Sequence, residues 1–342
     1  SGDGRLHWVN RRFADLFDPE AIAPGELSGL RQLTARDGSS LQVQVHRLEL
    51  AGGYLMQQSR QTGAEVVTYR YTIPLERLLA LQGADGQWAG GACFPARSLN
   101  WRDEDQGQPW TATLPTLQLL RDFGIDPRAD RVRQAVALVR DGCRWEHAGQ
   151  PFFSGEVEPC INGRTVTLGT CFGHDVTPVV SRLLGEQLED GGWNCEAENG
   201  SVRSSFATTI NVLEGLWAHE RATGGSAESI AARRRGEEYL LERKLLRRKS
   251  TGDVVNPAWL QFSFPPRWSY DVLRALEYFR SVGSVPDSRM GEAIDVLRSK
   301  QQPDGTWLLE NTYPGAVHFA LEDGDGGARA GGAGVTVVHR DL

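Results

Sequence analysis

Apolar and polar positions alternate with period two through LHWVN (residues 6–10), LQVQVHRLEL (41–50) and YLMQQSR (54–60). Successive side chains on a strand point to opposite faces, so these runs predict three strands, with RDGSS and AGG as turns between them. NRRFADLFDP (10–19) reads as a short helix between the first two strands. From about residue 68 the period becomes helical. Thr113–Gly124, Asp130–Gly142, Asp175–Leu188 and Ser205–Gly224 carry apolar residues at helical spacing, and the runs at 233–249, 269–283 and 289–301 continue the series. Apolar helices with few charges (205–216) follow or precede strongly charged ones (233–249). That alternation predicts inner helices buried on all sides and outer helices with one wet face.

The boundaries between helices hold a repeat. LQGADGQW (81–88), EQLEDGGW (186–193) and KQQPDGTW (300–307) each place a glutamine before Asp-Gly-x-Trp. The copies lie roughly 105 and 115 residues apart, and weaker copies, RDGCRW (140–145) and RRKSTGD (247–253), fall between them. An Asp-Gly turn closing a helix is expected at each. The glutamine amide is expected to bond carbonyls freed at a helix end, and tryptophan to add a large buried face with one N–H donor.

Composition narrows the function. The 342 residues carry a net charge of −7 and a pI near 5.6, which argues against nucleic acid as the main partner. No apolar run is long enough to span a membrane. Five cysteines without small-domain spacing suit a reducing cytoplasm better than a disulfide scaffold.

With its repeats in place, the chain resembles the squalene-cyclase and protein-prenyltransferase superfamily of α/α toroids. Their repeat is a helix ending in Gln followed by Gly-x-Trp, reproduced here at Trp88, Trp193 and Trp307. The resemblance implies a mainly α fold, an α/α toroid of about five helix pairs over residues 66–325. EVEPCINGRTVTLG, DGGWNCEAENGS and FPPRWSYDVLRAL are similar to uncharacterised bacterial members rather than to true cyclases. The toroid is preceded over residues 1–65 by a small α+β segment. There GRLHWVNRRFADLF and DGSSLQVQVHRLELAGGYLMQQSRQTG resemble the opening and closing parts of a PAS sensor domain. The glycine-rich residues 326–342 are expected to be loose or disordered, where toroid relatives close their ring with another helix.

The resemblance also implies chemistry. Squalene-type cyclases protonate an alkene with the middle acid of D-x-D-D. WRDEDQGQPWTATL lies at the matching place and offers Asp103 and Asp105, but its fourth acid is replaced by Gln106, so the motif is not intact. Prenyltransferases hold zinc with a D-x-C pair and a later histidine. Asp141-Gly-Cys143 matches the pair, Thr208 stands at the histidine's place, and His318 and His174 are the nearest substitutes. Cys195 lies in the same Cys- and His-rich stretch. Zinc is therefore the one cofactor the chain suggests.

Aromatics gather where a toroid's cavity would open, Trp101, Trp110, Phe152, Trp268 and Tyr270 among them. They suit an apolar, isoprenoid-type ligand. Acids of the same region, Glu156, Glu158, Asp190, Glu196, Glu198 and Asp271, allow a sugar-cleaving pair. Glu196 beside Cys195 stands out, while Asp271 at the head of a helix suits a cap. The basic run ARRRGEEYLLERKLLRRK reads as an exposed outer helix. Three functions stay open: a terpenoid-cyclase- or prenyltransferase-like protein binding or transforming an apolar small molecule, a non-catalytic ligand-binding or sensory module, and a sugar-processing toroid using two rim carboxylates. Oligomeric state is not written in the sequence.

Overall fold

The computed structural model describes residues 29–34, 40–48, 53–62, 65–73, 75–96, 107–122, 124–263, 265–283, 287–301, 307–308, 310–311, 313–318 and 336–337. The protein is mainly helical and divides into two compact units.

The first unit comprises residues 1–82 and 116–135. Its four strands, β1 (Gly29–Thr34), β2 (Ser40–Leu48), β3 (Gly53–Thr62) and β4 (Glu65–Ile73), form an antiparallel meander in chain order. β2 and β3 are the period-two runs of the sequence, in a register that sets Val45 against Met56. β4 corrects the expected onset of helix near residue 68. EVVTYRYTI is rich in β-branched and aromatic residues, which fit a pleated surface, and helix α1 (Leu75–Ala80) starts only after Pro74. The strand LHWVN and the helix NRRFADLFDP lie outside the described residues. Gln82 Nε2 donates to the carbonyl of Ala135 at 2.8 Å.

Helices α2 (Thr113–Asp122) and α3 (Asp130–Gly142) are shared between the two units. The second unit comprises residues 83–115 and 136–342. It contains α4 (Pro159–Cys171), α5 (Thr177–Gly185), α6 (Phe206–Thr223), α7 (Ala227–Leu241), α8 (Val272–Val282) and α9 (Gly291–Ser299). These make three packed pairs among the described residues, against about five expected. The first members touch one another, α4 on α6 and α6 on α8. Each second member covers its own partner, and α5 also meets α7. Each first member carries more buried residues than its own partner.

α4 was not expected from periodicity. PCINGRTVTLGTC is buried along most of its length, so no polar face marks it, and tertiary packing overrides its β-branched and glycine content. α4 and α6 approach backbone to backbone at Gly163 and Gly215. A Cβ on Gly163 would sit 2.3 Å from the Asn211 carbonyl oxygen, and one on Gly215 2.4 Å from that of Gly163.

The repeat does work at two ends, with its partners partly exchanged from expectation. Trp193 and Trp307 donate their indole N–H to Leu183 O and Leu297 O, at the end of the helix each follows (2.7 Å in both). The glutamine instead reaches the next outer helix, where Gln187 Nε2 donates to Ala232 O of α7 at 2.8 Å. Gly191, at φ +95°, lies against the Arg235 carbonyl of that helix, where a Cβ would come within 2.7 Å. Trp88, Trp193 and Trp307 are all buried.

The weaker copies are a different device. Residues 143–152 and 246–255 form matched hairpins after α3 and α7, closed by Trp145 N–H to Gln150 O and by Arg248 N–H to Asp253 O. Phe152 N–H then bonds Cys143 O, and Val255 N–H bonds Leu246 O. Among the described residues the two turn types alternate from the Trp88 turn to the second hairpin, which explains why the strong repeat skips a helix pair between Trp88 and Trp193. α7 ends at Leu241, so the basic run is helical only in part, and Arg233 within it is buried. Its guanidinium is gripped by Glu220 (2.6 Å) and Glu237, which corrects the expected solvated face. Of the glycine-rich tail, Thr336–Val337 form a short strand paired with Trp307–Leu308.

Candidate functional site

Three segments of the second unit line a half-open cavity of about 310 Å³. They are Cys93–Phe94 after the Trp88 turn, Trp145–His147 in the first hairpin, and the approach to α4 with Glu156, Val157, Glu158 and Ile161. Each wall is pinned by polar contacts. Glu146 Oε1 accepts the backbone N–H groups of Cys93 (2.8 Å) and Phe94 (3.0 Å). Asn162 holds Glu156 by both backbone groups, its Oδ1 accepting the N–H at 2.7 Å and its Nδ2 donating to the carbonyl at 2.8 Å. Glu156 Oε2 in turn accepts the N–H of Glu158 at 2.8 Å. Trp145 lies flat on buried Phe152, ring centroids 4.7 Å apart, so Phe152 backs the cavity wall instead of lining it.

At the edge of this cavity Glu158, Cys160 and Cys195 bring one ligand atom each to within 4.8 Å of the others. Glu158 is the N-cap residue of α4, but its side chain makes no capping bond, and Pro159 follows in the first turn. Cys160 Sγ donates to Glu158 Oε2 at 3.3 Å. Cys195 is delivered from the other side by a short 3-10 turn just after Trp193. That turn is held by Asn194, whose Oδ1 accepts from Glu196 N–H. Trp193 is itself tied by its backbone N–H to Thr209 Oγ1 at 3.1 Å. Cys195 Sγ lies 3.4 Å from Thr208 Oγ1. The two thiols lie within 4.8 Å of one another. The neighbouring Cys160 thiol, with further help from Thr208, holds Cys195 below the usual thiol range, while the Cys195 thiol, burial and the charge of Glu158 push Cys160 up. Arg164, buried on α4, is pulled down by burial and coupled electrostatically to Cys93 and Cys160. Burial, aided by the surrounding glutamates and opposed by Arg164, drives the Cys93 thiol up to about 12. Cys93 is therefore a protonated wall residue at neutral pH.

The other expected residues fall elsewhere. Trp101, Asp103 and Asp105 lie outside the described residues. Asp141 is exposed and paired with Arg140 (2.7 Å). Cys143 is fully buried, points its thiol at Gln87 Oε1 (3.5 Å), and is pushed by burial up to about 12. His318 is half-buried beside Arg267, and burial lowers it. Among the described residues neither these three nor His174 joins a group of metal-type ligands, so the zinc pair expected at Asp141 and Cys143 does not assemble. Sequence spacing favoured D-x-C. The structure instead pairs Cys195 with Cys160, from the helix that periodicity missed.

Asp271 caps α8, accepting Arg274 N–H at 2.8 Å and Ser263 Oγ at 2.5 Å, and burial raises its carboxyl. Glu196 is exposed and bonded to Asn199. Trp110 is buried with its indole N–H on Pro314 O and Arg267 over its ring. Tyr270 is buried with its hydroxyl on Leu245 O, and Trp268 is 46% exposed. No helix is long and apolar enough to cross a membrane among the described residues. Comparisons with protein-family models and with curated proteins find no match for this chain.

Proposed function

We propose that the second unit is an α/α repeat domain of the toroid type that binds a small organic molecule in the cavity beside α4. The observation that carries this is the composition of one concave wall. Phe94, Trp145, Val157 and Ile161 supply apolar surface, while Glu146, Glu156 and Glu158 line the same cavity, the first two held by backbone N–H groups. Apolar lining with a few oriented polar groups is the usual character of ligand sites. The deeper burial of the first helix in each pair and the tryptophan staples support relating the unit to isoprenoid-handling toroids. The volume, at the small end of the ~300–1,000 Å³ typical of such pockets, suits a short isoprenoid-type ligand with a polar or cationic head. A strand-rich unit of PAS-like type ahead of it would make the chain a ligand-responsive, non-catalytic module. The sugar-processing alternative is favoured by three glutamates and a tryptophan on one cavity.

Native mass spectrometry of the purified chain, followed by extraction and identification of any co-purifying molecule, separates these readings. A prenyl compound supports the first and a saccharide the second. If nothing co-purifies, prenyl alcohols and oligosaccharides are added. Absence of a thermal shift with every one of them, or binding undiminished in Ile161→Trp, overturns the cavity as the ligand site.

A further inference from the structure

We propose that Glu158, Cys160 and Cys195 form a zinc-class metal site at the edge of the cavity. The three ligand atoms already lie within 4.8 Å of one another, a spread that a single ion at bonds of ~2.0–2.3 Å spans with small side-chain movement. Two thiolates and one carboxylate select a borderline-soft ion such as zinc over magnesium or calcium, which take oxygen ligands. Three protein ligands leave a fourth tetrahedral position for water or an exchangeable ligand, the arrangement of a reactive zinc site. Glu158 belongs to both the metal group and the cavity wall, so the fourth position is within reach of whatever the cavity holds.

The surroundings fit an ion in three further ways. Two thiolates, one carboxylate and a divalent cation sum to one negative charge, and α4 carries the buried, cationic Arg164 one turn after Cys160. The Thr208 hydroxyl, 3.4 Å from Cys195 Sγ, supplies the outer-shell hydrogen bond that orients a thiolate ligand. The ligands also come from two anchored places, the first turn of α4 and the turn after Trp193, so the metal would tie two consecutive helix pairs together. The site does not depend on the identity of the cavity's organic ligand, since metal binding is read without it.

The test loads the purified 342-residue chain with zinc or cobalt(II), dialyses it and measures bound metal together with the cobalt–thiolate charge-transfer band. About one equivalent and a clear thiolate band are expected. Cys160→Ser and Cys195→Ser should each weaken zinc binding by more than about 100-fold, beyond the 10–100-fold loss typical of outer-shell changes. Glu158→Gln should weaken it while keeping the thiolate band. Cys143→Ser and Asp141→Asn should leave affinity within about two-fold of wild type, since neither approaches the ion. Should the serine variants fail to fold, the wild-type cobalt spectrum and Glu158→Gln still decide. Less than about a tenth of an equivalent in the wild type, no thiolate band, or full binding by Cys160→Ser/Cys195→Ser overturns the site.

Discussion

Two turns bring a cysteine into the helical unit, and they treat the thiol in opposite ways. At the end of α3, Cys143 is sealed: it has no solvent exposure, faces the Gln87 amide oxygen, and keeps its proton up to about 12. After the Trp193 turn, Cys195 is half-buried, meets a second thiol and a carboxylate, and is held below the usual thiol range. Both follow a helix that ends in glycine, and the sequence around Cys143 looks the more ligand-like. What separates them is the neighbouring inner helix. α4 presents Glu158 and Cys160 to Cys195, whereas Cys143 finds an amide. Reactivity here is decided by which helix end faces a turn, not by the turn's own motif.

The strongest way to break the contrast is to remove the staple behind Cys195. Trp193→Ala should cost about 3–5 kcal/mol, the range for emptying a large buried aromatic site, because its ring is buried and its indole N–H holds Leu183 O. Trp268→Ala, at a ring 46% exposed, should stay within about 0.5 kcal/mol. Chemical denaturation of both variants checks this, and equal losses would show that Trp193 is not a staple.

Next in size is the crossing that places α4. Gly163→Ala should destabilise by about 1–3 kcal/mol through overpacking, since its Cβ would meet Asn211 O at 2.3 Å. It should also displace Cys160 from Cys195, seen as a loss of crosslinking by a short bifunctional thiol reagent. A stable variant with unchanged crosslinking would mean the helices do not approach as described.

The smallest effect concerns the sealed thiol. Burial raises Cys143 from 9.0 to about 12, so the folded chain keeps a proton that the unfolded chain releases above about 9. This contribution to stability is complete below pH 9 and is lost as pH rises toward 12. Cys143→Ala lacks that loss, so the stability gap between wild type and variant should narrow between pH 7.5 and about 10. A gap independent of pH would contradict a sealed thiol.

How much of this was legible in the sequence follows from which faces are wet. α3, α5, α8 and α9 show helical spacing because water touches one side of each. The strong repeat marked its turns because Asp, Gly and Trp each have a local reason to stand there, such as the positive φ of Gly191. α4 was not legible: Asn162, Arg164, Thr165 and Thr167 are buried polar residues, Thr165 and Thr167 bonded to carbonyls one turn back in the helix and Asn162 to Glu156, so no polar stripe remains. With α4 went the candidate site. Cys160 and Cys195 are far apart in sequence and form no short knuckle, whereas Asp141-Gly-Cys143 copies a known spacing without the geometry. Arg233 shows the same limit from the other side, a charge in a basic run that packing buries against Glu220.

The most direct test is residue-resolved alkylation of the native chain at neutral pH, with and without zinc, read by mass spectrometry. Cys195, the one thiol of these held below the usual range, should be modified well before Cys93, Cys143 and Cys160, and zinc should protect it. Modification of Cys143 at the same rate, or zinc protection of Cys143 in place of Cys195, would contradict the assignment of the reactive thiol to the turn at Trp193.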